Sequence, residues 1–345
     1  MFKAVMEEAA KLSERVMLPV NASGDQEGCQ YNPDDYSVIT PKGFKDAYQQ
    51  YREGGWSGLS ASQDFGGQGL PHLLKMIVDE MVCSTNLSLG MYPGLSHGAI
   101  DCLTKHGSTY LQTNYLPKLV AGEWTGTMCL TEPQCGTDLG LMSTKAEPVQ
   151  DASYEDETYK ISGTKIWITG GEHDLAENIC HLVLAKLPGA PNSSKGISLF
   201  LVPKFLPDGS RNTAFCGGLE HKMGIKGSAT CVMNFEEATG WLIGEPNQGL
   251  KCMFTMMNAA RIMVGIQGLG LAETAYQVSL GFAKERLQSR SLSGPKQPDQ
   301  KADPIIVHPD VRRMLLKQKV IVEGARAMAY WTGLHLDLSQ LNIFL

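Results

Sequence analysis

The sequence predicts an α+β multidomain protein. It divides into an N-terminal helical domain over residues 1–123, a central antiparallel β-barrel or sandwich domain over 124–237, and a partial C-terminal helical bundle over 238–345. Two observations carry this reading. Apolar residues recur first at helical spacing, then in short β-type runs, then at helical spacing again. Gly, Pro, Asn and Asp gather at the joints and punctuate the middle zone.

In the first zone, Val5 to Leu18, Phe44 to Tyr51, Leu73 to Val82 and Tyr110 to Leu119 place apolar side chains on one helical face. Turn-rich joints such as Asn21-Ala22-Ser23-Gly24-Asp25 and Phe65-Gly66-Gly67-Gln68-Gly69 separate them. The middle zone supplies strand candidates at Thr125 to Thr131, Tyr159 to Ile161, Lys165 to Thr169, His181 to Ala185, Ile197 to Val202 and Thr230 to Phe235. Between Pro246 and Pro295 there is no proline, and Leu250, Met253, Phe254, Met257, Ile262, Ile266, Leu269 and Ala272 keep helical spacing, so one very long helix is expected. A polar linker from Ser291 to Pro304 follows, and Pro309 with Asp310 opens a second helix. Ser339 to Leu345 carries no helix-ending signal.

Composition narrows the function classes. Thirty Lys and Arg against 36 Asp and Glu leave a net charge of −6 with no long basic run, which gives no electrostatic footprint for nucleic acid. No stretch reaches the roughly 18 apolar residues of a membrane span, because Gly265, Gln267, Gly268 and Gly270 interrupt the richest one. The first residues turn acidic at Glu7 and Glu8 and read as no targeting peptide. Nine cysteines, without a C-x-x-C pair, fit a reducing cytoplasm.

Zincin and P-loop motifs are absent from the sequence, and its eight histidines are too scattered to suggest a metal site. Gly265-x-x-Gly268-x-Gly270 lies inside the long helix rather than after a strand, so close helix packing accounts for it better than phosphate binding. The segment Met128 to Asp138 is more informative. A strand ends at Thr131, and Pro133, Gly136 and Asp138 bend it into a loop whose N–H and hydroxyl groups suit a polar ligand edge; an ordinary strand-to-loop turn fits equally well.

Thr131-Glu132-Pro133-Gln134-Cys135-Gly136-Thr137-Asp138 and the later Tyr159-to-Gly171 run resemble the paired signature of the acyl-CoA dehydrogenase family. His221 to Thr230 and Gly244 to Leu250 are similar to the same family's later blocks, so the likeness runs over essentially the whole chain. The Ser23-to-Cys29 loop, Gly171 to Leu175 and the linker after Arg290 look most like the branch that includes 3-methylthiopropanoyl-CoA dehydrogenases.

The resemblance implies an FAD enzyme of fatty acid metabolism that dehydrogenates an acyl-CoA thioester between its α and β carbons, passes electrons to an electron-transfer flavoprotein or similar acceptor, and forms a homodimer or homotetramer. By position it places Met128, Leu130, Thr131, Gly136 and Thr137 along the flavin, with Trp167 and Thr169 on its other face. Arg286 and Gln288 match positions that contact the FAD pyrophosphate of a neighbouring subunit. Thr137, Asn258 and Arg261 match substrate positions, although Asn258 stands where the family has Asp. No catalytic residue is assigned. The family's usual Glu base belongs to a loop beyond the second half of the bundle, and the place a minority of relatives use, just before Arg261, holds Ala260. The expectation is therefore a C-terminally truncated dehydrogenase. The alternatives are a non-catalytic short form that binds flavin or acyl-CoA, and a flavin oxidase or monooxygenase relative.

Overall fold

The computed structural model describes residues 1–149 and 154–341. Helices α1 (Phe2–Leu12), α2 (Asn21–Glu27), α3 (Phe44–Glu53), α4 (His72–His106) and α5 (Thr109–Val120) fill the first part of the chain, with a small hairpin, β1 (Gln30–Asn32) and β2 (Ser37–Ile39), between α2 and α3. The middle holds β3 (Trp124–Cys129), β4 (Lys145–Val149), β5 (Thr158–Thr169), β6 (Asn178–Lys186), β7 (Ile197–Pro203), β8 (Ala214–Leu219) and β9 (Thr230–Ile243). The long helices α6 (Gly249–Glu285) and α7 (Pro309–Gln340) follow. Asn342 to Leu345, part of the segment read as lacking a helix end, lie outside the described residues.

The chain separates into two units. One comprises Lys11–Leu70 and Asn86–Ile262 and contains every strand; the other comprises Met1–Ala10, Pro71–Thr85 and Met263–Leu345 and is helical. In α4 the division falls at Asn86, whose φ of −153° and ψ of 84° interrupt the helix. The amide makes that break stable: its Oδ1 accepts from Leu89 N–H at 3.0 Å, as an N-cap does, and its Nδ2 donates to the Met17 carbonyl at 3.1 Å.

The large sheet corrects the antiparallel expectation. Its strands run in the order β3-β6-β4-β5-β9-β7, with β8 beside β9, and it is mixed, because β6 pairs in parallel with β3 and with the end of β4. The remaining large-sheet pairings are antiparallel. Strand direction was illegible here because β3 and β6 are joined by a long excursion through β4 and β5, and only a short hairpin dictates antiparallel pairing. Strands β6 and β7 are buried along almost their whole length, so Ile179 to Ala185 and Ile197 to Val202 form the floor of the core together with Trp241 and Ile243. Leu111, Tyr115, Leu116 and Leu119 of α5 and Met253 and Met256 of α6 pack onto the same cluster.

Candidate functional site

Strand β3 delivers the sequence-predicted loop. Beyond Cys129 the chain leaves the ladder, and reciprocal backbone bonds between Glu132 and Cys135, at 2.9 and 3.0 Å, close a tight turn. Ile166 N–H donates to the Thr131 carbonyl at 2.9 Å, which seats this turn against the middle of β5. Met128, Leu130, Thr131, Trp167 and Thr169, proposed from sequence as flavin contacts, therefore lie on neighbouring stretches of one unit. Met128, Leu130, Thr131 and Thr169 are half-buried.

Two features mark this patch as more than a turn. Among the described residues, neither the N–H nor the hydroxyl of Thr131 has a hydrogen-bond partner. Trp167 adopts φ of +62° where β5 slips register against β9 between Lys165 and Ile168, and the residue is 53% exposed. A bulky residue held in the left-handed region costs backbone energy, and exposing an indole forgoes burial, so nothing in the fold's own packing explains either choice.

Beneath the patch sits a charge pair that the sequence reading missed. Lys165 and Glu132 are both buried, with Lys165 Nζ 2.8 Å from Glu132 Oε1 and 3.1 Å from the Leu130 carbonyl. Glu132 also accepts from Ser143 N–H and Oγ, each at 2.8 Å, from Thr144 N–H at 3.1 Å, and from the Thr144 hydroxyl. Burial by itself pushes the Glu132 carboxyl up, but the Lys165 ammonium and these donors outweigh it and hold the group at about 2. The signal was present in the sequence: Lys165 falls on the same alternation as the apolar Tyr159 and Ile161, where an inward lysine requires a buried partner.

The other candidates divide between the units. Gly136 and Thr137 are exposed on the loop after the turn, and a Cβ on Gly136 would lie 3.9 Å from the Thr131 methyl, so this stretch borders the patch. Asn258 and Arg261 occupy exposed positions one turn apart on α6; Arg261 donates to Asn258 Oδ1 at 2.8 Å and stacks 5.4 Å from the Phe254 ring centre. The Asn carbonyl thus does for Arg261 what an Asp would do, without the charge.

Arg286 and Gln288 belong to the helical unit and are exposed just past the end of α6. Their segment is held by the buried Asp303, whose carboxylate accepts from Ser291 N–H (2.8 Å), Gln297 N–H (2.8 Å) and Lys296 N–H (2.9 Å), with Arg290 at 3.3 Å. Backbone bonds from Gln288 to Asp303 and from Ile305 to Arg286 complete the knot.

The chain matches the acyl-CoA dehydrogenase N-terminal domain over residues 3–123, the acyl-CoA dehydrogenase middle domain over 127–238 and the acyl-CoA dehydrogenase C-terminal domain over 247–341. It is 47% identical, over 98% of its length, to 3-methylmercaptopropionyl-CoA dehydrogenase of Ruegeria pomeroyi, covering 57% of that protein. A butyryl-CoA dehydrogenase of Syntrophomonas wolfei is 39% identical over 95% of the chain, which covers 55% of it. The chain thus spans little more than half the length of the curated relatives it matches. In fold it is similar to butyryl-CoA dehydrogenase from Megasphaera elsdenii, with a TM-score of 0.80 at 22% identity over 98% of this chain and 80% of that one.

Proposed function

The chain belongs to the acyl-CoA dehydrogenase family, and on that premise we propose that its Thr131–Trp167 patch binds FAD for the α,β-dehydrogenation of an acyl-CoA thioester. The observation that carries the reading is the pairing of unpartnered donors on Thr131 with a strained, exposed Trp167. These residues fit a flat heteroaromatic ring with carbonyl groups on one edge: Thr131 offers an N–H and a hydroxyl to that edge, Thr169 a second hydroxyl, and Trp167 an apolar face. Bound there, a flavin supplies a two-electron acceptor for hydride. The protein's part is to fix the ring, exclude water with Met128, Leu130 and Trp167, and hold the acyl-CoA through Thr137, Asn258 and Arg261.

The Ruegeria relative supports a short thioether-bearing acyl-CoA, 3-methylmercaptopropionyl-CoA, as the substrate class. Family membership supports an electron-transfer flavoprotein or similar acceptor, and a homodimer or homotetramer in which Arg286 and Gln288 reach a neighbouring subunit's FAD pyrophosphate. The domain division at residues 123/124 and 237/238 and a cytoplasmic location remain part of this reading. Among the described residues no helix is long and apolar enough to cross a membrane.

Proton abstraction from the α carbon needs a carboxylate, and the residue before Arg261 is Ala260. Ala260 supplies no proton acceptor at that position, and a second reading is that these 345 residues bind flavin and acyl-CoA without turning them over. The test is the visible spectrum of the purified chain with FAD. A flavin band that bleaches on adding 3-methylmercaptopropionyl-CoA and returns with an artificial acceptor establishes dehydrogenation. A retained band that never bleaches establishes binding alone, reoxidation by oxygen points to an oxidase, and a chain that retains no flavin refutes the reading.

A further inference from the structure

Lys165 is one of the largest fully buried side chains, and its charge lies beneath the Thr131 patch rather than in a salt bridge at the surface. Stability alone is a poor account of it. Replacing a buried ion pair by apolar side chains often leaves a protein as stable or more so, because two charges must be stripped of water. What the pair does uniquely is geometric. Glu132 is tied on its far side to the Ser143 and Thr144 backbone, so its carboxylate is a fixed anchor; Lys165 bridges from that anchor to the Leu130 carbonyl, with Nζ at 2.8 and 3.1 Å respectively.

A trans peptide carries its C=O and the following N–H on opposite sides. Clamping the Leu130 carbonyl towards the buried ammonium therefore turns the Thr131 N–H away from it, and this is the N–H without a partner. The Thr131 carbonyl is pinned as well, by Ile166 N–H. Both peptide planes flanking Thr131 are thus set by β5, the strand that also presents Trp167.

We propose that Lys165 is a positioning residue for the cofactor: with Glu132 as its counter-charge, it orients the Leu130–Thr131 peptide so that the Thr131 N–H is presented to the flavin edge. The proposal rests on the flavin reading above. It assigns Lys165 no contact with the flavin and no proton to transfer.

The test compares Glu132→Gln with Glu132→Gln/Lys165→Met. The first keeps one accepting oxygen, for either Ser143 or Thr144, a loss that both variants share, and it keeps an amine that still donates to the Leu130 carbonyl. The second removes that donation and leaves no buried charge unpaired, so the fold survives. FAD affinity is read by flavin fluorescence titration, and urea denaturation of the apoprotein reports stability separately. Losing one oriented N–H donor should weaken FAD by about tenfold in the double variant relative to Glu132→Gln, while the denaturation midpoint of the double variant is no lower than that of Glu132→Gln, which strands the buried Lys165. Equal FAD affinity in the two variants overturns the proposal, as does a loss of affinity that tracks a loss of stability.

If the unmutated chain binds no FAD, the flavin reading has failed and the amide resonance of Thr131 decides this one. A sharp signal in Glu132→Gln and an exchange-broadened one in the double variant supports an orienting role for Lys165; identical signals in both refute it.

Discussion

His173 and His181 are buried in the strand-bearing unit, where Thr125 Oγ1 meets His173 Nε2 at 2.9 Å and Thr127 Oγ1 meets His181 Nδ1 at 2.8 Å. Burial, reinforced by the positive charge of Lys204 and, at His181, of Arg211, holds both imidazoles down to about 3. An unfolded histidine titrates near 6.5, so the stabilising contribution of each neutral ring is complete above that pH and is lost as pH falls from 6.5 towards 3. Each histidine should steepen the loss by about 1.4 kcal/mol per pH unit in that window, as read from urea denaturation between pH 7 and pH 4. His181→Asn, which keeps a partner for Thr127, should roughly halve the slope; an unchanged slope would show that other groups set the acid limit. Trp167 makes the opposite kind of prediction. Because asparagine tolerates the left-handed backbone and Trp167 is 53% exposed, Trp167→Asn should leave apoprotein stability within about 0.5 kcal/mol, whereas burying residues of this size normally makes their loss cost about 3–5 kcal/mol. Calorimetry of the apoprotein and an FAD titration read the two quantities, and FAD binding should fall by at least about tenfold.

At the scale of elements, the glycines of α6 show how far a pattern can be read. Their position inside a helix correctly argued against a phosphate loop, yet only one of the three serves close packing. A Cβ on Gly270 would meet Ser84 N at 2.9 Å and the Glu80 carbonyl at 3.0 Å, while Gly265 and Gly268 face open space. Gly270→Ala should therefore cost about 1–3 kcal/mol, as overpacking against backbone does, and Gly268→Ala should gain up to about 1 kcal/mol from helix propensity. Thermal denaturation of the two variants should move in opposite directions, and a shared direction would contradict the packing assignment. Helical periodicity located α3, α5, α6 and α7 closely, but it recovered only the stretch from Leu73 to Val82 of α4. Asn86 and Pro93 interrupt the apolar pattern there, and the amide that restores the helix acts through Met17, a contact distant in sequence. Strand β5 was read as two pieces because its register shifts at Gly163 and again at Trp167. Those irregularities are where its neighbours matter most. Strands β4 and β8 went unread for a similar reason: each is short and carries Pro148 or the Gly217-Gly218 pair, so pairing rather than composition makes them strands.

For the molecule as a whole, the motif at Thr131 located the candidate site, while the charge pair beneath it required three-dimensional contacts to be seen. The same holds for the helical unit. Its interior is polar as well as apolar: Arg326 binds Glu80 through Nε at 2.9 Å, also bridges Glu273, and Tyr330 donates to the other Glu80 oxygen at 2.6 Å. Its outer surfaces are the unusual part. Val264, Leu271, Val278 and Phe282 on α6, and Leu316, Val320, Met328 and Trp331 on α7, are all exposed. On α6 the first three recur every seventh residue, and on α7 the spacing keeps the side chains on one stripe around Gly324, the pattern of a helix face that packs against another helix. Stripes of this length left in water exceed what monomeric proteins ordinarily expose. The 345-residue chain should therefore self-associate, sedimenting above its 37.6 kDa monomer mass at micromolar concentration and binding an apolar dye in its dissociated form. Placing charges on the stripes with Val278→Glu and Trp331→Glu should return it to monomer, while the buried strand core, which contains neither residue, keeps its far-ultraviolet dichroism. A monomer in the unmutated chain, with no dye binding, would mean that these stripes are not association surfaces.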